Sequence, residues 1–284
     1  MLARILVPVR GDGMGETVLA HAASLAHRHR AHIIVAHCRA RPEDMMPQGL
    51  SLPSFARANI VAQAAELANQ EETALREALH KMAGALDLNE TDRPDGSHAS
   101  VQFIEEFGRM ADVIKHNGRL ADLIVVAKPD RDRNLGTNAL KSGLFQTGRP
   151  ILMCQPHAAV GPQFGAHVAV AWNGSLEAAR TVALTLDLAS AAEKVTVLTA
   201  GRGEHHTASP EDLVDYYRLR GITAEVHRFE ARNPGLALLD KTVEAGASLL
   251  IMGAYGQSHE RETLFGGNTQ SVVDKANIPV VMGH

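Results

Sequence analysis

The stretch Leu250-Ile251-Met252-Gly253-Ala254-Tyr255-Gly256 lies near the end of a 284-residue chain, and a pair of glycines, Gly266-Gly267, follows nine residues later. An apolar run of this kind is typical of a buried strand, and glycines allow tight turns and close approach of a ligand to the backbone. The glycine pair is followed by Asn268-Thr269 and by a helix-like run over residues 270–276. Because a helix start presents unpaired N–H groups and the positive end of the helix dipole, the stretch predicts a phosphate-binding loop between a strand and a helix.

The spacing of these glycines is more specific than two glycines alone, which any loop can contain. With the spacing Gly-x2-Gly-x9-Gly the chain resembles the universal stress protein family, whose ATP-binding members carry this motif followed by Ser or Thr. Gly253, Gly256 and Gly266 match the three glycines. Gly267 departs from the usual hydroxyl residue, whereas Thr269 matches a second hydroxyl position found in many members. The resemblance implies that ATP binds here, with Mg²⁺ left open.

Composition and charge restrict the class of protein. A hydrophobic content of 45% with only 4% aromatic residues suits an α/β protein with a buried sheet. The net charge of −4, with no basic stripe, argues against a general nucleic-acid binder. No apolar run approaches the roughly 20 residues that a membrane span needs, and no signal-peptide core follows Met1. We therefore expect a cytoplasmic protein in which Cys38 and Cys154 are reduced, partly buried thiols.

Apolar runs and helical patterns alternate along the whole chain, which predicts parallel sheets with right-handed crossovers. The predicted strands of the first half cover residues 3–9, 31–38, 100–104, 122–127 and 150–154, with helices over 16–29, 55–88, 108–116 and 138–146. The pattern then starts again, with strands over 167–172, 194–200, 223–229, 248–252 and 278–282 and helices over 176–191, 210–220, 234–245 and 270–276. The 55–88 helix contains Asn69-Gln70, where we expect a break, and residues 39–54 read as an exposed loop.

The repetition predicts two domains. Residues 121–126 align with 247–252, residues 149–153 align with 278–282, and a Pro- and Gly-containing connector lies between them at 155–165. The predicted fold class is α/β, with two tandem, doubly wound, five-stranded parallel-sheet units of the Rossmann-like, adenine nucleotide alpha hydrolase-like kind. Domain 1–155 carries a degenerate nucleotide site, and domain 166–284 carries the glycine motif. In universal stress proteins such units meet through their last strands, so the resemblance implies an intrachain pseudo-dimer, with a homodimer of chains left open.

The second unit offers further candidate groups at its strand ends, where doubly wound sheets bind ligands. Asn173 follows the first strand of this unit, where many family members have an Asp that holds the nucleoside, but an Asx turn or an N-cap explains it equally well. Ala200 ends the second strand, at the place where the family reads adenine with main-chain groups. The predicted nucleotide-binding residues are Asn173, Ala200, Met252, Gly253, Gly256, Gly266, Gly267, Asn268 and Thr269.

The first unit lacks a counterpart of the loop between Gly253 and Gly267, which we call the glycine loop. It has Ala127-Lys128-Pro129-Asp130 where the second unit has Gly253 and Gly256, and Pro129 removes an N–H group. Arg10 and Asp12 stand near the position of the family's Asp. We expect this unit not to bind ATP in the family manner and to serve as a packing partner or a surface for other ligands.

Other binding sites fit the sequence less well. The run from Gly11 to Glu16 resembles the dinucleotide fingerprint Gly-x-Gly-x-x-Gly, but its third glycine position is Glu16. Neither a P-loop nor the Ser-Gly-Gly-x-Asp-Ser loop of related adenine-nucleotide hydrolases is present. The fifteen histidines form no zinc motif, so solvated or core roles are favoured, although a metal at His205-His206 stays open.

The sequence leaves three functions to compare. We favour a cytoplasmic stress-response protein that binds ATP in its C-terminal domain and acts as a regulatory or signalling module for an unknown protein partner, with nucleotide ordering the 257–265 loop. The alternatives are a slow ATP hydrolase using Glu260 or Glu262 beside His259 and Arg261, and a nucleotide-free interaction scaffold. We predict no catalytic residue, because no nucleophile–base pair is visible from spacing.

Overall fold

The computed structural model describes residues 1–9, 15–39, 54–130, 132, 135–155, 159–201, 207–256 and 267–284. The first unit contains β1 (Arg4–Val9), α1 (Gly15–His29), β2 (His32–Arg39), α2 (Ser54–Ala85), β3 (Asn89–Glu90), β4 (Ser100–Phe107), α3 (Met110–Gly118), β5 (Leu123–Ala127), α4 (Thr137–Gln146) and β6 (Ile151–Cys154). The second unit contains β7 (His167–Ala171), α5 (Leu176–Leu184), α6 (Leu186–Ser190), β8 (Lys194–Ala200), α7 (Pro210–Arg218), β9 (Ala224–Phe229), α8 (Pro234–Glu244), β10 (Leu249–Gly253), α9 (Gly267–Lys275) and β11 (Val280–Gly283).

Across the part of the chain that is described, the strands form one sheet of eleven in the order β3-β4-β2-β1-β5-β6-β11-β10-β7-β8-β9. All neighbours within a unit are parallel, and both units have the doubly wound order that was predicted. The units join where β6 pairs antiparallel with β11, with Met153 opposite Val280 and Ile151 opposite Met282. The carboxyl ends of the strands of the two units therefore lie at opposite edges of the sheet. The predicted fold class and the predicted pairing through the last strands are confirmed, whereas the domain boundaries at 155 and 166 stay predictions.

The core consists of two apolar layers, one on each face of the sheet. Successive strand residues point to opposite faces, so Ile5 lies in one layer and Leu6 in the other. Both layers contain residues of both units, since Leu152 and Ile251 share one layer while Met153 and Met252 share the other. The units are thus joined by continuous packing on both faces as well as by strand pairing.

Apart from small shifts in the bounds of elements, the structure differs from the predicted elements in three places. The two-residue strand β3 was missed, because its exposed polar residues carry no periodic signal. Helix α2 runs without a break through Asn69-Gln70, so the expected interruption there is wrong. The helix predicted over 176–191 divides into α5 and α6 at Thr185, whose φ of −114° and ψ of 16° are not helical and whose Oγ1 donates to Thr181 O at 2.7 Å.

Two further expectations concern membranes and thiols. None of the helices in the described ranges combines the length and apolarity that crossing a membrane requires. Cys38 and Cys154 are both buried and form no disulfide with each other, and Cys38 Sγ donates to Gly108 O at 3.2 Å. Burial raises the pKa of the Cys154 thiol well above its ordinary value, as is typical of an unreactive thiol in a protein core.

Candidate functional site

A cavity of about 790 Å³ lies at the carboxyl ends of the strands of the second unit. It opens where the order of the sheet reverses on either side of β7, with β8 on one side and β10 on the other. This is the position at which doubly wound sheets bind ligands. Eight of the nine predicted residues line this one cavity, namely Asn173, Ala200, Met252, Gly253, Gly256, Gly267, Asn268 and Thr269. The ninth, Gly266, lies outside the described residues.

Three helices begin at the wall of this cavity. They are α5 at Leu176, α8 at Pro234 and α9 at Gly267, and each of these first residues lines the cavity or adjoins a residue that does. The starts of α5 and α8 are capped by side chains, since Ser175 Oγ accepts from Ala178 N at 3.2 Å and Asn233 Oδ1 accepts from Leu236 N at 3.2 Å. Three positive dipole ends around one space favour an anionic ligand group there.

Gly253 has a packing role that the sequence did not reveal. Neither Gly253 nor Gly256 has a positive φ, and the residue in the left-handed region is Tyr255, with φ of 56°. A Cβ at Gly253 would lie 2.5 Å from Ala178 N and 2.7 Å from the carbonyl carbon of Glu177. Gly253 is therefore required where the end of β10 packs on the backbone of α5, rather than for a turn.

Thr269 and Asn268 fix the geometry of the loop from the first turn of α9. Thr269 is buried, and its Oγ1 accepts a hydrogen bond from Tyr255 N at 3.2 Å. Asn268 Oδ1 accepts from Gly235 N at 3.3 Å, and a Cβ at Gly235 would lie only 2.5 Å from Asn268 O. The same residues that line the cavity thus hold the start of α9 against the strand end and against α8.

Asn173 and Ala200 lie at the ends of β7 and β8, on the cavity wall. Asn173 forms the Asx turn that was considered for it, since its Oδ1 accepts from Ser175 N at 3.1 Å, whereas the N-cap of α5 is Ser175. The side chain of Asn173 is exposed. Its turn therefore shapes the rim of the cavity and is compatible with a ligand contact from the same side chain.

Sequence reasoning missed several residues of this cavity. Trp172 is buried, and its Nε1 donates to Ala208 O at 2.9 Å. Glu177 is only 6% exposed and lies next to the glycine loop, with Oε2 2.9 Å from the point where a Cβ at Gly256 would stand. The signal for Glu177 was its place in the first turn after the Ser175 cap, which brings it to the carboxyl ends of the strands.

The first unit supports the loop of the second. The ring of Phe145, at the end of α4, lies 5.2 Å from the ring of Tyr255 and 4.9 Å from that of His284. His284 Nδ1 donates to Ala254 O at 3.0 Å. Residues from the two units therefore hold Ala254-Tyr255 from outside the cavity.

The corresponding strand ends of the first unit enclose a smaller cavity of about 280 Å³. A Cβ at Gly136 would lie 3.1 Å from Pro129 Cα, which leaves little space at this loop. Lys128 turns away from this cavity, because its Nζ donates to Ala276 O of the second unit at 2.8 Å. That the first unit does not bind ATP in the family manner stays a prediction.

The remaining candidate residues fall outside the described part of the chain. These are Arg10, Asp12, His205, His206, His259, Glu260, Arg261 and Glu262. Among the residues that are described, no group of three or more His, Cys, Asp or Glu side chains is placed to hold a metal ion.

Solved structures with this architecture cover nearly the whole chain. A universal stress protein from Archaeoglobus fulgidus DSM 4304 has a TM-score of 0.70 at 16% identity, covering 99% of this chain and 95% of its own. A functionally unknown protein from Pseudomonas aeruginosa PAO1 has a TM-score of 0.58 at 16% identity, covering 99% of this chain and 92% of its own. Identities this low show a shared fold only. Comparison with curated proteins gives no match.

The family is established by sequence. The model of the universal stress protein family matches residues 1–136 and again residues 158–284, so each of the two structural units matches the family separately. The two matched segments together cover most of the chain. The protein belongs to the universal stress protein family, as a member with two tandem family units.

Proposed function

We propose that this protein binds ATP in the cavity of its second unit and acts as a cytoplasmic regulatory or signalling module in the stress response. Membership of the family supports the stress-response role. The observation that carries the nucleotide proposal is the convergence of eight predicted residues and three helix starts on one cavity. The protein partner and a homodimer of chains belong to the same proposal.

The cavity fits a nucleotide in size and in the arrangement of its walls. Its volume of about 790 Å³ lies within the range of roughly 300–1,000 Å³ that is usual for small-molecule sites. Leu198, Ala200 and Leu238 form an apolar wall on the β8 and α8 side, which suits a base. Gly256 and the start of α9 form a polar wall, which suits phosphate groups. The resulting assignment places adenine near β8 and the phosphates near α9.

Gly267 offers a way to test this assignment without disturbing the fold. The residue is exposed, has no positive φ, and a Cβ built on it meets nothing within 4 Å. An Asp at the first position of α9 is compatible with the helix dipole but repels a phosphate group placed there. Gly267→Ser restores the hydroxyl that ATP-binding relatives carry at this position and adds a donor without charge.

The test is the ATP affinity of the wild type, Gly267→Asp and Gly267→Ser by isothermal titration calorimetry in buffer containing MgCl₂, together with the nucleotide released from freshly purified protein on denaturation. We expect binding near one ATP per chain, weakened at least about tenfold in Gly267→Asp and retained or strengthened in Gly267→Ser. The proposal fails if the wild type neither carries nor binds ATP.

The same samples separate the two alternatives. A slow hydrolase would convert the bound ATP to ADP and phosphate during incubation, with loss of that conversion when Glu260 or Glu262 is changed to Gln. A nucleotide-free scaffold would show no ATP-induced rise in melting temperature. Binding without conversion is the result expected for a regulatory module.

A further inference from the structure

The described wall of the second-unit cavity carries one charged side chain, the carboxylate of Glu177. The residue is only 6% exposed, although carboxylates of this kind are normally paired when they are buried. In the described part of the chain no residue donates a hydrogen bond or forms an ion pair with this carboxylate, and the Glu177 backbone carbonyl is instead the acceptor for Thr181 Oγ1. The carboxylate borders the cavity and has no donor among the described residues, so it is available to a group that a ligand brings.

The position of this carboxylate restricts what the partner can be. Glu177 Oε2 lies 2.9 Å from the point that a Cβ at Gly256 would occupy. The carboxylate therefore borders the polar wall, formed by Gly256 and the start of α9, where we propose that the phosphates bind. Neither Lys, Arg nor His occurs among the described residues that line the cavity. Among the described residues a free polyphosphate would therefore meet a negative charge, with helix dipoles as the compensating positive groups, and like charges repel.

A divalent cation removes this conflict. Carboxylate and phosphate oxygens are the hard ligands that Mg²⁺ and Mn²⁺ prefer, and Mg²⁺ is usually held by one or two carboxylates together with substrate phosphates and water. One carboxylate beside a phosphate wall matches that arrangement. It also agrees with the finding that no protein-only metal cluster occurs among the described residues, because such a site needs the nucleotide to be complete.

We propose that Glu177 binds a divalent cation carried by the nucleotide, so that this site binds the metal complex of ATP more tightly than the metal-free anion. The inference rests on the proposed binding of ATP in this cavity. It attributes to Glu177 the dependence of ATP binding on the divalent cation. The isosteric change Glu177→Gln keeps the shape of the side chain and removes its charge.

The matched control comes from the first unit. Glu16 is the second residue of α1, as Glu177 is the second residue of α5, but Glu16 is exposed. Glu16→Gln therefore makes the same change in net charge at the corresponding helix position, far from the second-unit cavity. Unfolding of each protein without nucleotide shows whether the two variants are folded like the wild type.

The experiment is an ATP titration of the wild type, Glu177→Gln and Glu16→Gln by calorimetry, once with MgCl₂ and once with EDTA. We expect EDTA to weaken binding to the wild type and to Glu16→Gln by at least about tenfold. Glu177→Gln should lose most of this dependence, and it should bind metal-free ATP more tightly than the wild type does, because the repulsion is gone.

Two results overturn the inference while leaving ATP binding intact. One is a wild type whose affinity is the same in MgCl₂ and EDTA. The other is a Glu177→Gln variant that is weakened equally in both conditions, which would identify Glu177 as the acceptor for a ligand hydroxyl. A wild type that binds no ATP in either condition overturns the proposed function and this inference together. A second readout, the electron paramagnetic resonance spectrum of Mn²⁺ with protein and ATP, should change in Glu177→Gln and stay unchanged in Glu16→Gln.

Discussion

Replacing Gly253 by Ala tests whether this motif glycine is required by packing or by a ligand. The added Cβ would lie 2.5 Å from Ala178 N, whereas ordinary contacts begin at 3.4 Å, so the two backbones would have to separate by about 0.9 Å. Gly253 is the last residue of β10, and Ala178 lies in the first turn of α5. Neither side of the contact is the flexible end of a side chain, so the fold itself has to adjust.

The cost can be estimated from overpacked cores, where inserted methylenes typically destabilise by about 1–3 kcal/mol. Because both partners here are backbone, we expect Gly253→Ala to lower the free energy of unfolding by about 3 kcal/mol. For a chain of this size that corresponds to a melting temperature lower by roughly 6–12 °C, provided that the two units unfold together. The displacement of α5 should also move Ser175 and Glu177 at the cavity wall.

The assay is urea and thermal unfolding without nucleotide, with Gly267→Ala as the matched control. A Cβ at Gly267 meets nothing within 4 Å, and Ala is the better helix former, so the control should be as stable as the wild type or slightly more stable. If Gly253→Ala melts within about 2 °C of Gly267→Ala, the packing argument is refuted. Gly253 would then be a residue kept for the ligand alone.

Two contacts of the first unit lead to further predictions. Phe145→Ala removes the ring that packs 5.2 Å from that of Tyr255, so ATP affinity should fall about threefold to tenfold in titration calorimetry, and unchanged affinity would show that the contact does not support the loop. His21 donates to Thr17 O at 2.8 Å and packs edge-on to Phe164 at 5.1 Å, and burial lowers its pKa from the ordinary value. The unfolded chain then binds this proton at higher pH, so stability should fall as pH decreases below about 6.5 and level off beneath the lowered pKa. Thermal melts from pH 8 to 5 should show a smaller decline in His21→Gln; an equal decline would assign the effect to other groups.

The fold was predictable because its signals are local. Buried strands of a parallel sheet are short apolar runs, and the strand Lys194–Ala200 was predicted with its observed bounds. The errors arise where the sequence pattern does not reveal the backbone conformation. The apolar spacing of residues 176–191 continues through the break at Thr185, and nothing in the residues Asn89–Glu90 marks them as a strand until they pair with β4.

The cavity residues were predictable where they belong to the glycine motif or follow the end of a predicted strand. The spacing of Gly253, Gly256 and Gly266 could be recognised directly, and the structure brings the first two, and Gly267 beside the third, to one cavity. Glu177 could not be recognised in this way, because its proximity to Gly256 depends on the packing of α5 against β10. The contact between Phe145 and Tyr255 depends on the antiparallel joining of the two units, which places the end of α4 beside the ligand-side edge of the second unit.

The same joining explains what Lys128 does in a unit without the glycine loop. In place of a glycine loop, the end of β5 carries a lysine whose ammonium group donates to Ala276 O, just beyond α9. A cation at a helix C-terminus stabilises the helix by about 0.3–1 kcal/mol through its dipole. The N-terminus of α9, at the other end of the helix, faces the second-unit cavity. The residues that replace the glycine loop in one unit therefore stabilise the helix on which the proposed phosphate site of the other depends. For this reason we expect the second unit to bind nucleotide less tightly when it is separated from the first.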